Sequence, residues 1–203
     1  MSTVWKLTSL LFALSVWPQQ SAAQSFTGDC GLSNLGACRT TNNLVWDAGF
    51  KQALGRFLGD RQASYLYDRS PLSDQAMAVL GGPPDTPVFG GNLYRFTACR
   101  AGSCTEKGAV VLTPSGQIMA VAILHTACEA LQRPTRRTEK RRLAVYLHHG
   151  ADRHLIVGDL SRWAEDAVAA AYAPPGQARP ALEGVDVLPA GSNDKLIPLP
   201  NLP

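Results

Sequence analysis

The sequence predicts an α+β protein with a central antiparallel β-sheet of about five strands and flanking helices. Between residues 92 and 160, short stretches alternate apolar with polar side chains and are separated by turn residues, which is typical of a meander of strands. On either side of this region apolar residues recur every three or four positions, which is typical of helices. Residues 24–173 are a normal length for one such domain.

Two helices are predicted before the strands. The apolar face of the first consists of Trp46, Phe50, Leu54, Phe57 and Leu58. We expect Asn42 or Asn43 to cap it, because a side-chain oxygen there can accept from a free backbone N–H, and Gly59 to end it. Ser70 and Pro71 suit the cap and the first position of the second helix.

The predicted strands are Asn92–Cys99, Ala109–Thr113, Ile118–Leu124, Leu143–His149 and His154–Leu160. "PSGQ" joins the second strand to the third, and "GADR" joins the fourth to the fifth; each turn contains a glycine, which tolerates positive φ. Ser161 is expected to cap a last helix, "RWAEDAVAAAY", that packs on the sheet.

The ends of the chain differ in composition from its centre. Residues 1–23 have the pattern of a secretion signal, with Lys6 before an apolar run that is too short to span a bilayer, and "SAA" at its end. Cys30 follows "TGD", which does not resemble a lipid-attachment site. We therefore expect an exported protein without a membrane anchor, periplasmic in a Gram-negative host. Residues 174–203 are rich in proline and are predicted to be an extended or disordered tail.

All five cysteines follow the predicted signal, and an oxidising compartment favours disulfides. Local pairing is the simplest expectation, with Cys30 bonded to Cys38 and Cys99 to Cys104. Cys128 is then left over, either as a buried thiol or as a bond to another chain that would link two copies into a homodimer.

The net charge and the sequence motifs limit which classes of function the protein can have. Removing the signal lowers the formal net charge only from +3 to +2, and the one basic cluster, at residues 133–142, has no aromatic residues between its cations. We expect that cluster to be a solvated connection, with an anionic-surface patch as the alternative, and we predict no nucleic-acid partner. No catalytic signature is present, so the prediction is a protein that is not an enzyme and needs no cofactor.

One alternative to this view involves a metal. His148, His149, Asp152 and His154 lie close together in the sequence, and imidazole and carboxylate groups suit zinc. If a hairpin joined their strands, His149 and His154 would approach each other. A polar turn explains the same residues without a metal, and no metal ligand is assigned.

The small ring that a Cys99–Cys104 bond would close is the most distinctive feature of the sequence. It contains Arg100, Ala101, Gly102 and Ser103 and lies between two predicted strands. The bond either stabilises a bulged turn or holds a loop rigid for insertion into a cleft, since a rigid loop loses less entropy on binding.

The segment "GGNLYRFTACRAGSC", followed by "AVVLTPSGQIMAVAIL", resembles the Ivy family of exported bacterial inhibitors of vertebrate (C-type) lysozyme. "AGFKQALGRFL" is similar to the first helix of that family. The resemblance implies a helix-flanked antiparallel sheet and a disulfide-closed loop that blocks the lysozyme cleft. Between its cysteines the family has a basic residue, proline, histidine and aspartate; here Arg100 matches the first, and Ala101, Gly102 and Ser103 stand in place of the others.

We therefore expect a periplasmic inhibitor of a lysozyme or related muramidase, with the ring as the inserted part and Arg100 and Ser103 as its polar contacts. The alternatives are an immunity or envelope-interaction protein that uses the same sheet but a different surface, and a metal-dependent enzyme built on the histidine cluster.

Overall fold

The computed structural model describes residues 30–128, 137–171 and 181–191. The predicted signal, residues 1–23, and the side chain of Cys128 therefore lie outside the described part of the chain. The helices are α1 (Thr41–Val45), α2 (Ala48–Leu58), α3 (Leu72–Leu80) and α4 (Arg153–Ala169). The strands are β1 (Gln62–Ala63), β2 (Ser70–Pro71), β3 (Val88–Gly90), β4 (Leu93–Arg100), β5 (Ser103–Leu112), β6 (Ile118–Cys128), β7 (Arg137–Leu147) and β8 (Leu182–Pro189).

The predicted α+β class is confirmed. Strands β3 to β8 form one six-stranded sheet in sequence order, and β1 and β2 form a separate two-stranded ribbon. Neighbouring strands from β3 to β7 are antiparallel, whereas β8 runs parallel to β7. The sheet therefore places the predicted meander at its centre and adds one strand at each edge.

Side chains alternate between the two faces of the sheet, and each face has its own core. On one face Phe96, Val110 and Ile123 pack with the buried residues of α1, α2 and α3. On the other face Val111, Leu124 and other residues pack with the inner side of α4. The sheet is thus buried on both faces, which explains why its central strands are almost continuously apolar.

The first helical region differs from the prediction because it contains two helices. Thr40 caps α1 and forms a reciprocal capping box with Asn43, and Asp47 caps α2 by accepting from the Gly49 N–H at 3.0 Å. Trp46 lies between the two helices and is 86% exposed, so it does not belong to the predicted apolar face. Asn43 contributes to capping from inside the helix, and the capping side chain is that of Thr40.

The start of α3 also differs from the prediction. Ser70 pairs with Ala63 in the β1–β2 ribbon, and Pro71 occupies the cap position without a side-chain hydrogen bond. The carbonyl oxygen of Ser70 instead accepts from the Gln75 amide at 2.9 Å. The proline therefore ends the ribbon and begins the helix.

The predicted second hairpin is wrong, because residues 153–169 form the single helix α4. Asp152 caps it by accepting from the Leu155 N–H at 3.0 Å, and Ser161 lies inside it. Its buried face consists of Ile156, Leu160, Trp163, Ala164 and Val168. A short apolar run such as "HLIV" fits a strand or a helix, and here the spacing of the whole segment favours the helix.

The proline-rich segment after residue 173 contains a strand that the predicted tail did not include. Leu182–Pro189 pair with β7 from Arg141 to Leu147, and Arg142 forms a two-point ion pair with Asp186. Within the described residues of this segment, Pro189 is the last residue of the strand, opposite Leu147, a position at the end of a ladder where proline is tolerated. Residues 174–180 and 192–203 lie outside the described part of the chain, so the remainder of the tail stays a prediction.

Both predicted disulfides are present, joining Cys30 to Cys38 and Cys99 to Cys104. They are consistent with a protein made for an oxidising compartment. Within the described residues, no helix combines the length and apolar character needed to cross a bilayer.

Candidate interaction site

The disulfide ring forms the tip of the β4–β5 hairpin. Arg100 pairs with Ser103, so Ala101 and Gly102 form the two-residue turn at the tip, and both are exposed. Gly102 has a φ of 76°, a left-handed conformation that glycine adopts without steric cost. The ring therefore brings its six predicted residues, 99–104, into one projecting turn, with Cys99 buried at its base and Cys104 exposed.

The base of the ring is held by the neighbouring chain. The Cys99 N–H donates to the carbonyl oxygen of Pro83 at 3.0 Å. Gly82 lies so close to the backbone of residues 99–101 that a Cβ atom there would overlap the Cys99 carbonyl oxygen. Because these contacts with residues 82 and 83 hold the end of β4 in place, the disulfide constrains a turn whose position is already set.

Arg100 does not project from the tip with its neighbours. Its Nε atom lies 2.5 Å from a carboxylate oxygen of Glu106, and the Glu106 side chain is only 2% exposed. The contact is an ion pair and not a hydrogen bond, because the N–H group at Nε is not directed at the carboxylate oxygen. The Arg100 guanidinium carbon is also 5.9 Å from the centre of the Tyr67 ring. Arg100 therefore fastens the ring to the body of the protein.

Ser103 and its neighbours form a polar side of the hairpin. The hydroxyl groups of Ser103 and Thr105 lie 3.0 Å apart, and the carbonyl oxygen of Thr105 accepts from Arg141 at 3.1 Å. Lys107 contacts Asp85 at 3.3 Å. The polar contacts beside the tip are thus hydroxyl and backbone groups, and the nearby cations of the hairpin have acidic or carbonyl partners.

A row of polar side chains crosses the sheet behind the ring, on the face covered by α1 to α3. It consists of Arg100, Glu106, His125, Arg142 and Asp186, one each from strands β4 to β8. His125 is directly opposite Arg142 in the ladder. Arg142 donates to the two carboxylate oxygens of Asp186 at 3.0 and 2.6 Å. Opposite charges therefore flank a histidine in the middle of the row.

His125 is 7% exposed. Its Nδ1 atom lies 3.3 Å from the Thr126 carbonyl oxygen, and its Nε2 atom has no hydrogen-bond partner among the described residues. Burial lowers the pKa of this imidazole below its ordinary value of 6.5, and the Thr126 carbonyl opposes part of that shift. The neutral form is therefore the one that this environment favours.

The loop between β1 and β2 covers the row. The Tyr65 ring lies 4.4 Å from the His125 ring, and its hydroxyl group is 2.8 Å from that of Tyr146. Burial raises the pKa of both tyrosines above the ordinary value of 10.0. Two aromatic residues of one loop, Tyr65 and Tyr67, thus cover the histidine and the arginine of the row.

The sequence analysis did not identify Glu106, His125, Tyr65 or Tyr67 as site residues. Glu106 and His125 had a usable signal, since they continue the inward alternation of Gly108 and of Val121 and Ile123. Tyr65 and Tyr67 had no such signal, because they lie in a loop outside any alternating strand pattern. The ribbon that positions this loop has only two residues in each strand.

The predicted histidine cluster has a different arrangement from the hairpin that suggested a metal. His148 precedes the turn, with Nδ1 accepting from the Gly150 N–H at 3.0 Å, while His154 is the second residue of α4. Across the described residues, no three His, Cys, Asp or Glu side chains form a group suited to a metal ion.

A second surface lies near the edge strand β3, at the end of β4 away from the ring. Phe89 is 59% exposed, and its ring is 4.6 Å from that of Tyr94. Both border a cleft of about 400 Å³ whose other wall is formed by residues 35–39. Of the residues predicted from the sequence, this surface contains Cys38 of the first disulfide and none of the ring.

Comparison with protein-family models, curated proteins and solved structures gives no match to this chain.

Proposed function

We propose that this protein is a non-enzymatic, exported inhibitor of a lysozyme-type peptidoglycan hydrolase, and that it acts by inserting the Cys99–Cys104 turn into the active cleft of that enzyme. The observation that carries the proposal is the exposed two-residue tip on a ring whose base is buried and fastened. A preformed projection of this kind loses little entropy when a cleft closes around it. The resemblance of residues 90–104 and 109–124 to the Ivy family supports the same class of target.

The structure modifies the roles within the ring. Ala101, Gly102 and the hydroxyl of Ser103 are the groups that meet the enzyme, together with the peptide groups of the turn. Arg100 is a positioning residue because its guanidinium is engaged by Glu106 and faces Tyr67. The tip lacks the histidine of the family and adds no charge of its own, and the predicted mature chain has a formal net charge of only +2. A cationic C-type lysozyme therefore gains no electrostatic attraction, and a less basic muramidase is the better-matched target.

The test is a cell-wall lysis assay with residues 24–203 against a panel containing hen lysozyme, a less basic muramidase and a lytic transglycosylase. We expect inhibition of at least one enzyme and its loss, by about tenfold or more, in Ala101→Trp, because a bulky tip cannot enter the same cleft. Opening the ring with Cys99→Ala and Cys104→Ala should weaken inhibition about tenfold through lost rigidity.

Ala169→Trp is the matched control, since Ala169 is an exposed residue of α4 on the opposite face of the sheet. The proposal would be refuted if every enzyme of the panel lysed cell walls at its full rate in the presence of a large molar excess of the protein. An Ala101→Trp variant that inhibits as well as the parent would also refute it.

The second candidate is an envelope-interaction or immunity protein, and the exposed Phe89 surface favours it, because exposed aromatic patches beside an edge strand are common interaction sites. In a pull-down from envelope extract, a partner lost with Phe89→Asp and kept with Ala101→Trp would support this candidate over the inhibitor.

A further inference from the structure

Among the described residues, Tyr67 is the large aromatic residue that lies beside the disulfide ring with much of its surface exposed. Its side chain is 46% exposed, and its ring lies 5.9 Å from the guanidinium of Arg100, the residue that leads into the turn. The projecting turn and this aromatic ring are therefore adjacent features of one surface.

The loop that carries Tyr67 is held in place by a buried amide. Gln75 is fully buried, and its carbonyl oxygen accepts from the backbone N–H groups of Tyr65 and Leu66 at 3.1 and 2.9 Å. Its amide nitrogen donates to the carbonyl oxygens of Ala63 and Ser70 at 2.7 and 2.9 Å. One side chain thus spans both arms of the loop.

Further contacts fix the apex. Leu66 is buried directly before Tyr67, and the Ser64 hydroxyl joins Asp68 at 3.1 Å and accepts from the Arg69 N–H at 3.0 Å. Arg69 has a φ of 42°, so the return of the chain has a defined conformation. Tyr67 is consequently presented on a preformed support, as the ring tip is.

The charges near Tyr67 compensate one another. Arg100 is paired with Glu106, and the exposed Asp68 and Arg69 that follow Tyr67 have opposite signs. A surface with a neutral small-residue tip and a neighbouring aromatic face suits a cleft that normally holds an uncharged sugar ring, where stacking and shape decide binding more than charge does.

We propose that Tyr67 is a second contact residue, which stacks in the sugar subsite next to the one that the disulfide turn occupies; this inference rests on the proposed function. The target is then an enzyme whose cleft binds at least two consecutive sugar units. Arg100 couples the two contacts, because it joins the ring to the face of Tyr67.

The experiment measures inhibition constants for the wild type, Tyr67→Ala, Tyr67→Phe and Trp46→Ala against the enzyme that the wild type inhibits most strongly. We expect Tyr67→Ala to weaken inhibition about tenfold or more, and Tyr67→Phe to stay close to the wild type, because stacking needs the ring and not the hydroxyl. Trp46→Ala is the matched control, since it removes a more exposed aromatic residue from the α1–α2 junction.

The outcomes separate the two proposals. If Ala101→Trp abolishes inhibition while Tyr67→Ala inhibits as well as the wild type, this inference is refuted and the proposed function stands. If the wild type inhibits no enzyme of the panel, both fall. Thermal unfolding of each variant shows whether Tyr67→Ala keeps its fold. If Tyr67→Ala is unfolded, Tyr67→Leu replaces it in the test, because leucine keeps the apolar bulk and lacks the aromatic ring. Full inhibitory potency of Tyr67→Leu would also refute stacking.

Discussion

The ion pair between Arg100 and Glu106 shows how a single buried carboxylate decides the role of a loop residue. Glu106 lies two residues beyond the ring, at an inward-facing position of β5, and its charge cannot be left without a partner at 2% exposure. Arg100, the first residue inside the ring, pairs with it. Arg100 therefore stabilises the hairpin, and under the proposed function the residues after it are the ones that contact the target enzyme.

We expect Arg100→Ala to lower the free energy of unfolding by about 3 kcal/mol, because it removes the guanidinium from a buried carboxylate. Asp159→Asn is the comparison. It breaks the Arg95–Asp159 pair, in which the aspartate is 43% exposed, and should cost about 1 kcal/mol or less. Urea unfolding of the two variants measures both values, and equal losses would contradict the assigned role of Arg100.

His125 should make stability depend on pH. Its pKa is lowered by burial, with Glu106 and Asp186 favouring the charged form and Arg142 opposing it, while the Tyr65 ring covers it. The unfolded chain therefore takes up a proton that the folded chain resists, and stability falls as the pH drops below about 6.5. Above that pH the contribution is constant.

The measurement is chemical unfolding of the wild type and His125→Gln at about pH 7.5 and about pH 5. We expect the wild type to lose more stability between the two values than the variant does. The other three histidines are common to both proteins and cancel in the comparison. An identical pH dependence would show that His125 protonates as easily in the folded state as in the unfolded state.

At the scale of elements, the structure departs from the sequence-based prediction where short segments depend on partners far away in the chain. The central strands were predictable because their alternation is strong and both of their faces are buried. Strand β8 was not, because Asp186 separates Val185 from Val187, and its ion-pair partner Arg142 lies on β7, far away in the sequence. The β1–β2 ribbon is too short to give any periodic signal.

A truncation experiment tests the importance of β8. A chain that ends at Ala181 lacks the strand, and we expect it to lose about 1 kcal/mol for each ladder hydrogen bond and to expose the edge of β7. A chain that ends at Gly191 keeps β8 and is the control. Thermal unfolding and light scattering distinguish the two, and equal midpoints without aggregation would show that β8 contributes little.

At the scale of the whole molecule, local sequence patterns were enough to predict the α+β class. No single local pattern was enough to predict the whole candidate site. Cys99 and Cys104 marked the ring in the sequence, since a five-residue separation between two strands leaves few other geometries. The row behind the ring collects one residue from each of five strands, and Tyr65 and Tyr67 come from a sixth segment. No single stretch of sequence contains enough of these residues to reveal that they meet.

Two chemically independent contacts hold the end of the β4–β5 hairpin, the Cys99–Cys104 disulfide and the Arg100–Glu106 ion pair. A thiol reagent that reaches the exposed Cys104 opens the first and leaves the second, since Arg100 and Glu106 do not respond to reduction. If the protein is an inhibitor as proposed, loss of oxidising conditions should therefore weaken its inhibition without abolishing it, because the ion pair still holds the hairpin.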